Sequence, residues 1–236
     1  MSVDDFPLPG NARRVQPAGA PIDGIELWFA VLAAEEEAYA RATSWLAPAE
    51  HARAARFGRE WLRRRYVIGR ALLRGVLGRS LSLPPSAVPI VRGERGRPRL
   101  DGIEGIDFNV SHTNDAALVG IARGPRIGVD IERADREVNA DGLARKFLTP
   151  AERATLAPLG ADERRARFLR YWTCKEAMSK ATGDGISAPF RRIEVDLGAA
   201  LRLLAGPAPY APDRWRLHAV DARDGYFATL ALWSPA

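Results

Sequence analysis

Apolar and polar positions along the chain fall into two successive runs of the same kind. The stretch IELWFAVLA from Ile25 is β-like, and a helix start follows at LAPAEHARAARF from Leu46. RYVIGRALLRGVLG from Arg65 then has helical period, with Val67, Ala71, Val76 and the leucines on one face. About a hundred residues downstream the order returns: IGVDIERAD from Ile127 as a strand, LTPAERATLAPL from Leu148 as a helix start, RYWTCKEAMSKATG from Arg170 as a helix. In LAPAE and LTPAE the proline stands where a first helical turn tolerates it, and a glutamate close behind favours the positive helix end. Each run closes on β-like segments, DFNVSHTNDAALVGIA and RWRLHAVDARDGYFATLALW, which hold an Asn-Asp or Asp-Gly turn signal.

Self-similarity at one long period implies duplication of a unit too large for a solenoid repeat. The expected fold is α+β: two similar α/β halves related by a pseudo-twofold, each a small, mainly antiparallel sheet packed with helices. The active site is expected in the cleft between them, where ligand sites are most often found. The expected boundaries are a loosely held, proline- and glycine-rich tail over 1–24, an N-terminal half over 25–126 and a C-terminal half over 127–236.

Composition narrows the class. At 236 residues and 47% apolar content the chain can bury a proper core. MSVDDFPLPG lacks the basic and apolar regions of a secretory signal, and LWFAVLAA is too short to span a bilayer, so a soluble protein with no membrane partner is expected. The single cysteine, Cys174, excludes an internal disulfide framework and a multi-cysteine zinc site, and fits the cytoplasm. Charge is uneven within a net +6: His51 to Leu100 holds thirteen arginines against Glu60 and Glu94. Such a block attracts polyanions, whether nucleic acid, a phosphorylated cofactor or an acidic protein, unless it is merely a solvated helix face. Against 32 arginines there are three lysines, two of them in YWTCKEAMSK.

Three stretches could carry chemistry. In GVDIE, strand alternation puts Asp130 and Glu132 on one face and Val129 and Ile131 on the other. Paired carboxylates suit a hard cation such as Mg²⁺, although the outward face of an ordinary edge strand would look the same. On the helix of YWTCKEAMSK, Tyr171, Cys174, Met178 and Ala181 form a core stripe, with Trp172, Lys175, Glu176 and Lys180 on the other side. Glu176 and Lys180 could be a solvated i,i+4 pair, or Glu176 could complete a three-carboxylate magnesium site beside which Lys180 neutralises phosphate. In FNVSHT, Ser111 and His112 face opposite sides and cannot form a hydrolase dyad, but His112 could donate to a phosphate near the arginine block. GxSxG, Walker A and Rossmann glycine patterns are missing.

Together RPRL, FNVSH, GVDIE, LTPAE and WTCKEAMSK, in this order, resemble the Sfp-type 4′-phosphopantetheinyl transferases, from Leu46 to the C-terminus. The resemblance implies transfer of the phosphopantetheine arm of coenzyme A to a serine of an acidic acyl or peptidyl carrier protein, with release of adenosine 3′,5′-bisphosphate. It implies Asp130, Glu132 and Glu176 as Mg²⁺ ligands and Lys180 as the pyrophosphate contact. It implies Ser111 with His112, Arg53, Arg65, and Arg97 with Pro98 as coenzyme A residues, and Glu152 near the reaction centre. The family pattern usually has lysine where Arg97 stands. Glu152, Glu176 or a water on the metal could take the serine proton. A monomer is expected, with no nucleic-acid partner. The rival readings are a magnesium-dependent nuclease and an arginine-rich nucleic-acid-binding protein.

Overall fold

A computed structural model of the chain describes residues 7–235. The first half comprises β1 (Arg13–Val15), β2 (Ile25–Val31), α1 (Glu36–Ser44), α2 (Pro48–Ala55), α3 (Glu60–Leu81), a hairpin of β3 (Ile90–Arg92) and β4 (Pro98–Leu100), then β5 (Ile106–His112) and β6 (Ala116–Arg123). The second comprises β7 (Arg126–Arg133), α4 (Ala140–Phe147), α5 (Pro150–Leu156), α6 (Ala161–Thr182), a hairpin of β8 (Glu194–Leu197) and β9 (Leu201–Ala205), then β10 (Trp215–Ala219) and β11 (Tyr226–Trp233). The two main sheets run β1-β2-β6-β5 and β10-β11-β7, antiparallel throughout. β2 pairs with β6 and β6 with β5, just as β7 pairs with β11 and β11 with β10; β1 is added at the outer edge of β2. Duplicated sequence has thus produced duplicated topology, the α+β pair of halves expected.

The sheets lie inside and the long helices outside. Trp28 and Ala30 of β2 pack with Ile68, Leu72 and Val76 of α3. Leu27 and Phe29, on the opposite face, pack with Val129 and Ile131 of β7 and Leu230 of β11. Phe168, Cys174 and Met178 of α6 join Leu217 and Ala231 in the outer core of the second half. Strands covered on both faces read as unbroken apolar runs, and AALVGIA of β6 is buried from end to end.

The halves are joined by side chains where a backbone ladder would normally stand. Along β5, Asp107 Oδ2 accepts the Ile127 N–H at 2.8 Å, Asn109 Oδ1 that of Val129 at 3.0 Å, and Ser111 Oγ that of Ile131 at 3.4 Å. Alternate residues of β5 therefore satisfy alternate amides of β7, whose other edge pairs with β11. Gly128 brings α6 onto β7: a Cβ there would stand 1.8 Å from the Ala177 carbonyl oxygen. Only glycine permits that approach.

Each half also holds a buried carboxylate–cation pair at the same place. Glu50, in the first turn of α2, accepts from Arg70 and from Arg74 Nε (2.5 Å), and Arg74 donates to the carbonyls of Pro85 and Val88 at 3.0 and 3.1 Å. Glu152, in the first turn of α5, lies 2.9 Å from Lys175 Nζ, which donates to the carbonyls of Phe190 (2.7 Å) and Ile193. Lys175 is fully buried, so it does not share the solvent side of α6 that helical period assigns it. Its partner is long-range, and the ion pair with two carbonyls offsets part of a desolvation that still holds the Lys175 ammonium below and the Glu152 carboxyl above their ordinary values.

The stretch expected as a loose tail is partly built in. β1 pairs with β2, Val15 is buried, and the Ala18 and Asp221 amides bond the carbonyls of Ala219 (2.8 Å) and Gln16 (3.0 Å) across the halves. Residues 1–6 of that stretch lie outside the described residues. No helix among the described residues is long and apolar enough to cross a membrane.

Candidate active site

A cavity of about 780 Å³ opens in the first half between α2, α3, the β3–β4 hairpin and the end of β5. Arg53, Arg65, Pro98 and His112 line it, as do Tyr66, Arg70 and Arg92, which the sequence reading did not single out. Arg53 lies over the Tyr66 ring at 5.6 Å, and Arg65 over Trp61 at 5.4 Å while donating to the Thr113 carbonyl at 2.9 Å. Neither has a carboxylate partner among the described residues, whereas Arg70 is paired with Glu50, which Arg74 shares. The cavity thus offers uncommitted positive charge beside apolar wall, the mixture a phosphorylated cofactor requires.

The second half holds a cavity of only about 160 Å³ in the equivalent place. Register sets Ala117 opposite Ala30 in one half and Phe227 opposite Glu132 in the other. Gly69 precedes Arg74 as Arg170 precedes Lys175. Gly69 and Ala117 line the large cavity, and their larger counterparts Arg170 and Phe227 border the small one.

Beyond His112 lies an acidic cluster. Strand alternation sends His112 to the cavity and its neighbour Ser111 to the opposite face of β5, where it is buried. Ser111 Oγ donates to Asp130 Oδ1 at 2.7 Å, and Lys180 Nζ bonds both, at 2.8 Å to Ser111 and 2.6 Å to Asp130. Asp130 Oδ2 is buried without a hydrogen-bond partner. Burial, and after it the charge of Asp130, pushes the carboxyls of Glu132 and Glu176 above their ordinary value. Glu132 also accepts from Arg136 and Trp172. Loss of hydration, then Lys180 and Arg65, lower His112, so cavity and cluster share one electrostatic field.

No group of three His, Cys, Asp or Glu side chains among the described residues stands ready-made for a metal ion. The donor chemistry nevertheless fits a hard divalent cation: an unpartnered buried carboxylate oxygen on Asp130, with two carboxyls that its charge already perturbs.

Three residues expected at the site are placed differently. Arg97 turns away from the cavity that its neighbour Pro98 lines; it bonds both oxygens of Asp107 at 2.8 and 2.7 Å and the carbonyls of Ile127 and Lys180 at 2.8 Å each. Its donors are committed to tying the halves together. Ser111 belongs to the Asp130–Lys180 cluster and does not line the cavity. Glu152 is 1% exposed and accepts from Lys175, Thr149 N–H (2.8 Å) and Val195 N–H (2.9 Å), leaving it no approach to a substrate. Asp107 and Asn109 were missed, since in sequence they look like the polar side of an edge strand. Cys174 is also set apart from chemistry: burial pushes its thiol up to about 12.

Comparison with known proteins agrees with this division. The model of the 4′-phosphopantetheinyl transferase superfamily matches residues 126–231, and that of the 4′-phosphopantetheinyl transferase N-terminal domain matches residues 32–123. The 4′-phosphopantetheinyl transferase HetI of Nostoc sp. is 34% identical over 222 residues, covering 90% of this chain and 91% of that protein. A putative 4′-phosphopantetheinyl transferase of Synechocystis sp. is 32% identical over 73% of this chain and 70% of its own. The 4′-phosphopantetheinyl transferase Sfp of Bacillus subtilis is 27% identical over 69% of this chain and 71% of its own. With both halves matched and the likeness to HetI running nearly end to end, the chain belongs to the Sfp-type 4′-phosphopantetheinyl transferases and is an enzyme of that class.

Proposed function

We propose that the protein transfers the 4′-phosphopantetheine arm of coenzyme A to a serine hydroxyl of an apo acyl or peptidyl carrier protein, releasing adenosine 3′,5′-bisphosphate. One juxtaposition carries this reading: successive residues of β5 join a cationic cavity, through His112, to the Ser111–Asp130–Lys180 cluster. The cavity would take the nucleotide, with Arg53, Arg65 and His112 donating to its phosphates. Arg97 serves the same site indirectly, by fixing the wall that carries Pro98. The pyrophosphate would then lie toward Lys180, whose ammonium meets the charge that develops as the bond breaks.

Asp130, Glu132 and Glu176 would hold Mg²⁺, which when bound neutralises and orients pyrophosphate oxygens. Glu176 is the group we assign to take the serine proton. It reaches solvent and makes no side-chain hydrogen bond among the described residues, which leaves an oxygen beyond the one given to the cation free to accept that proton. Arginines left on the surface of α2 and α3 would steer an acidic carrier protein. Because one chain supplies both halves, we assign a monomer, working in the cytoplasm. The nuclease and nucleic-acid-binding readings gain no support from the relatives.

Incubation with coenzyme A, Mg²⁺ and a panel of apo carrier proteins, followed by mass spectrometry, tests the proposal. A phosphopantetheine mass on one serine is expected. No gain on any carrier would overturn it.

A further inference from the structure

The β3–β4 hairpin reaches in two directions at once. Ile90, Val91, Arg92, Gly96 and Pro98 face the cavity of the first half. Two of its other side chains, Arg95 and Arg97, reach the second half at the end of α6 and the residues just beyond, and Arg97 also at Ile127 of β7. Arg97 donates to the Lys180 carbonyl at 2.8 Å. Arg95, at the tip, stands in the left-handed region (φ 56°) that a non-glycine residue rarely adopts, and its guanidinium bonds Asp184 Oδ1 at 2.5 Å. Asp184 is well placed to receive it. Its other oxygen accepts from the fully buried Tyr210 hydroxyl at 2.7 Å, and its own N–H bonds Thr182 Oγ1 at 3.3 Å. The anchor is therefore rigid, whereas the Arg95 side chain is 69% exposed.

We infer that Arg95 and Asp184 are a positioning pair: they strap the hairpin across from the second half, so that the wall of the cofactor cavity is held in register with the helix turn that carries Lys180. The wall is formed by one half and its fastening by the other. Breaking the strap loosens the cavity, not the chemical step, because Lys180 keeps its bonds to Asp130 and Ser111 and its carbonyl keeps Arg97. An ion pair with one exposed partner is modest in strength, which sets the size of the effect at about threefold to fivefold in cofactor affinity. The inference rests on the coenzyme A reading above.

The test measures coenzyme A dissociation constants by calorimetry, kcat, and hydrogen exchange of the amides of residues 90–100 in the ligand-free protein. It compares wild type with Asp184→Asn, Arg95→Gln, their double variant and the charge-swapped pair Arg95→Asp with Asp184→Arg. Each single variant should raise Kd about threefold to fivefold, quicken hairpin exchange and leave kcat within about twofold. The double variant should be no worse than either single, and the swapped pair should recover part of the loss. Additive losses, or singles that bind as wild type does, overturn the strap. If wild type itself fails to bind coenzyme A, the functional reading falls. Hairpin exchange still decides the strap in that case, and exchange unchanged in Asp184→Asn overturns it.

Discussion

Lys180 bonds Asp130 Oδ1 at 2.6 Å and leaves Glu176, one helical turn earlier on α6, without a side-chain hydrogen bond among the described residues. The local i,i+4 pair gives way to a partner on another element, because Gly128 lets α6 lie directly on β7. One oxygen of the central carboxylate is thus held by an ammonium group and the other is unpartnered.

A cation entering this cluster must compete with Lys180 for Asp130. Lys180→Ala should therefore bind Mn²⁺ alone several-fold more tightly by calorimetry, while transfer falls on the order of a hundredfold for want of the charge meeting the leaving group. Unchanged metal affinity would remove the competition from the account.

The width of the cavity depends on two small residues. Ala117→Phe, which installs the aromatic ring found at the equivalent place in the second half, should raise Kd for coenzyme A more than about tenfold and, because Ala117 is fully buried, lower the melting temperature by a few degrees. Calorimetry and thermal melts decide it. Binding as tight as wild type would place the cofactor elsewhere.

On the proposed function, Glu152 serves structure and Glu176 catalysis. Glu152→Gln leaves Lys175 buried without its counter-ion, which should cost about 3 kcal/mol and lower Tm by about 8 °C, with kcat of the folded enzyme nearly unchanged. Glu176→Gln should do the reverse, keeping Tm and lowering kcat about a thousandfold. A large loss of kcat in Glu152→Gln below its melting transition would return that residue to the reaction.

Glu50 predicts a pH dependence. Burial pulls its carboxyl up, but Arg70 and then Arg74 outweigh burial and leave it below its ordinary 4.5. An acid whose pKa falls on folding contributes stability above the unfolded value and loses it as pH drops through the folded one. The Tm gap between wild type and Glu50→Gln should accordingly be widest at neutral pH and close as pH is lowered below 4.5. A gap that is constant with pH would show that the pair carries no net charge advantage.

Much of this was legible from local pattern. LAPAE and LTPAE announced the duplication, and the Tyr171, Cys174, Met178, Ala181 stripe faces the core as helical period requires. What period cannot register is a partner far along the chain. Lys175 reads as solvated because helical period sets it opposite the core stripe, yet Glu152 waits for it in the core. Arg97 and Ser111 carry the residue types of ligand contacts, and only the packing of β5 against β7 turns them into joinery. β1 was hidden by the prolines and glycines around a strand of three residues.

That joinery has an evolutionary consequence. A backbone ladder fixes the spacing of two strands whatever their sequence, but the seam between β5 and β7 is set by the lengths of Asp107, Asn109 and Ser111. The shortest of the three, Ser111, stands at the end that meets Asp130 and Lys180. A single codon change there can widen or narrow the gap between the cationic cavity and the carboxylates while leaving every strand of both sheets in place. Two copies of one ancestral half, once fused, could in this way be tuned against each other by point substitution.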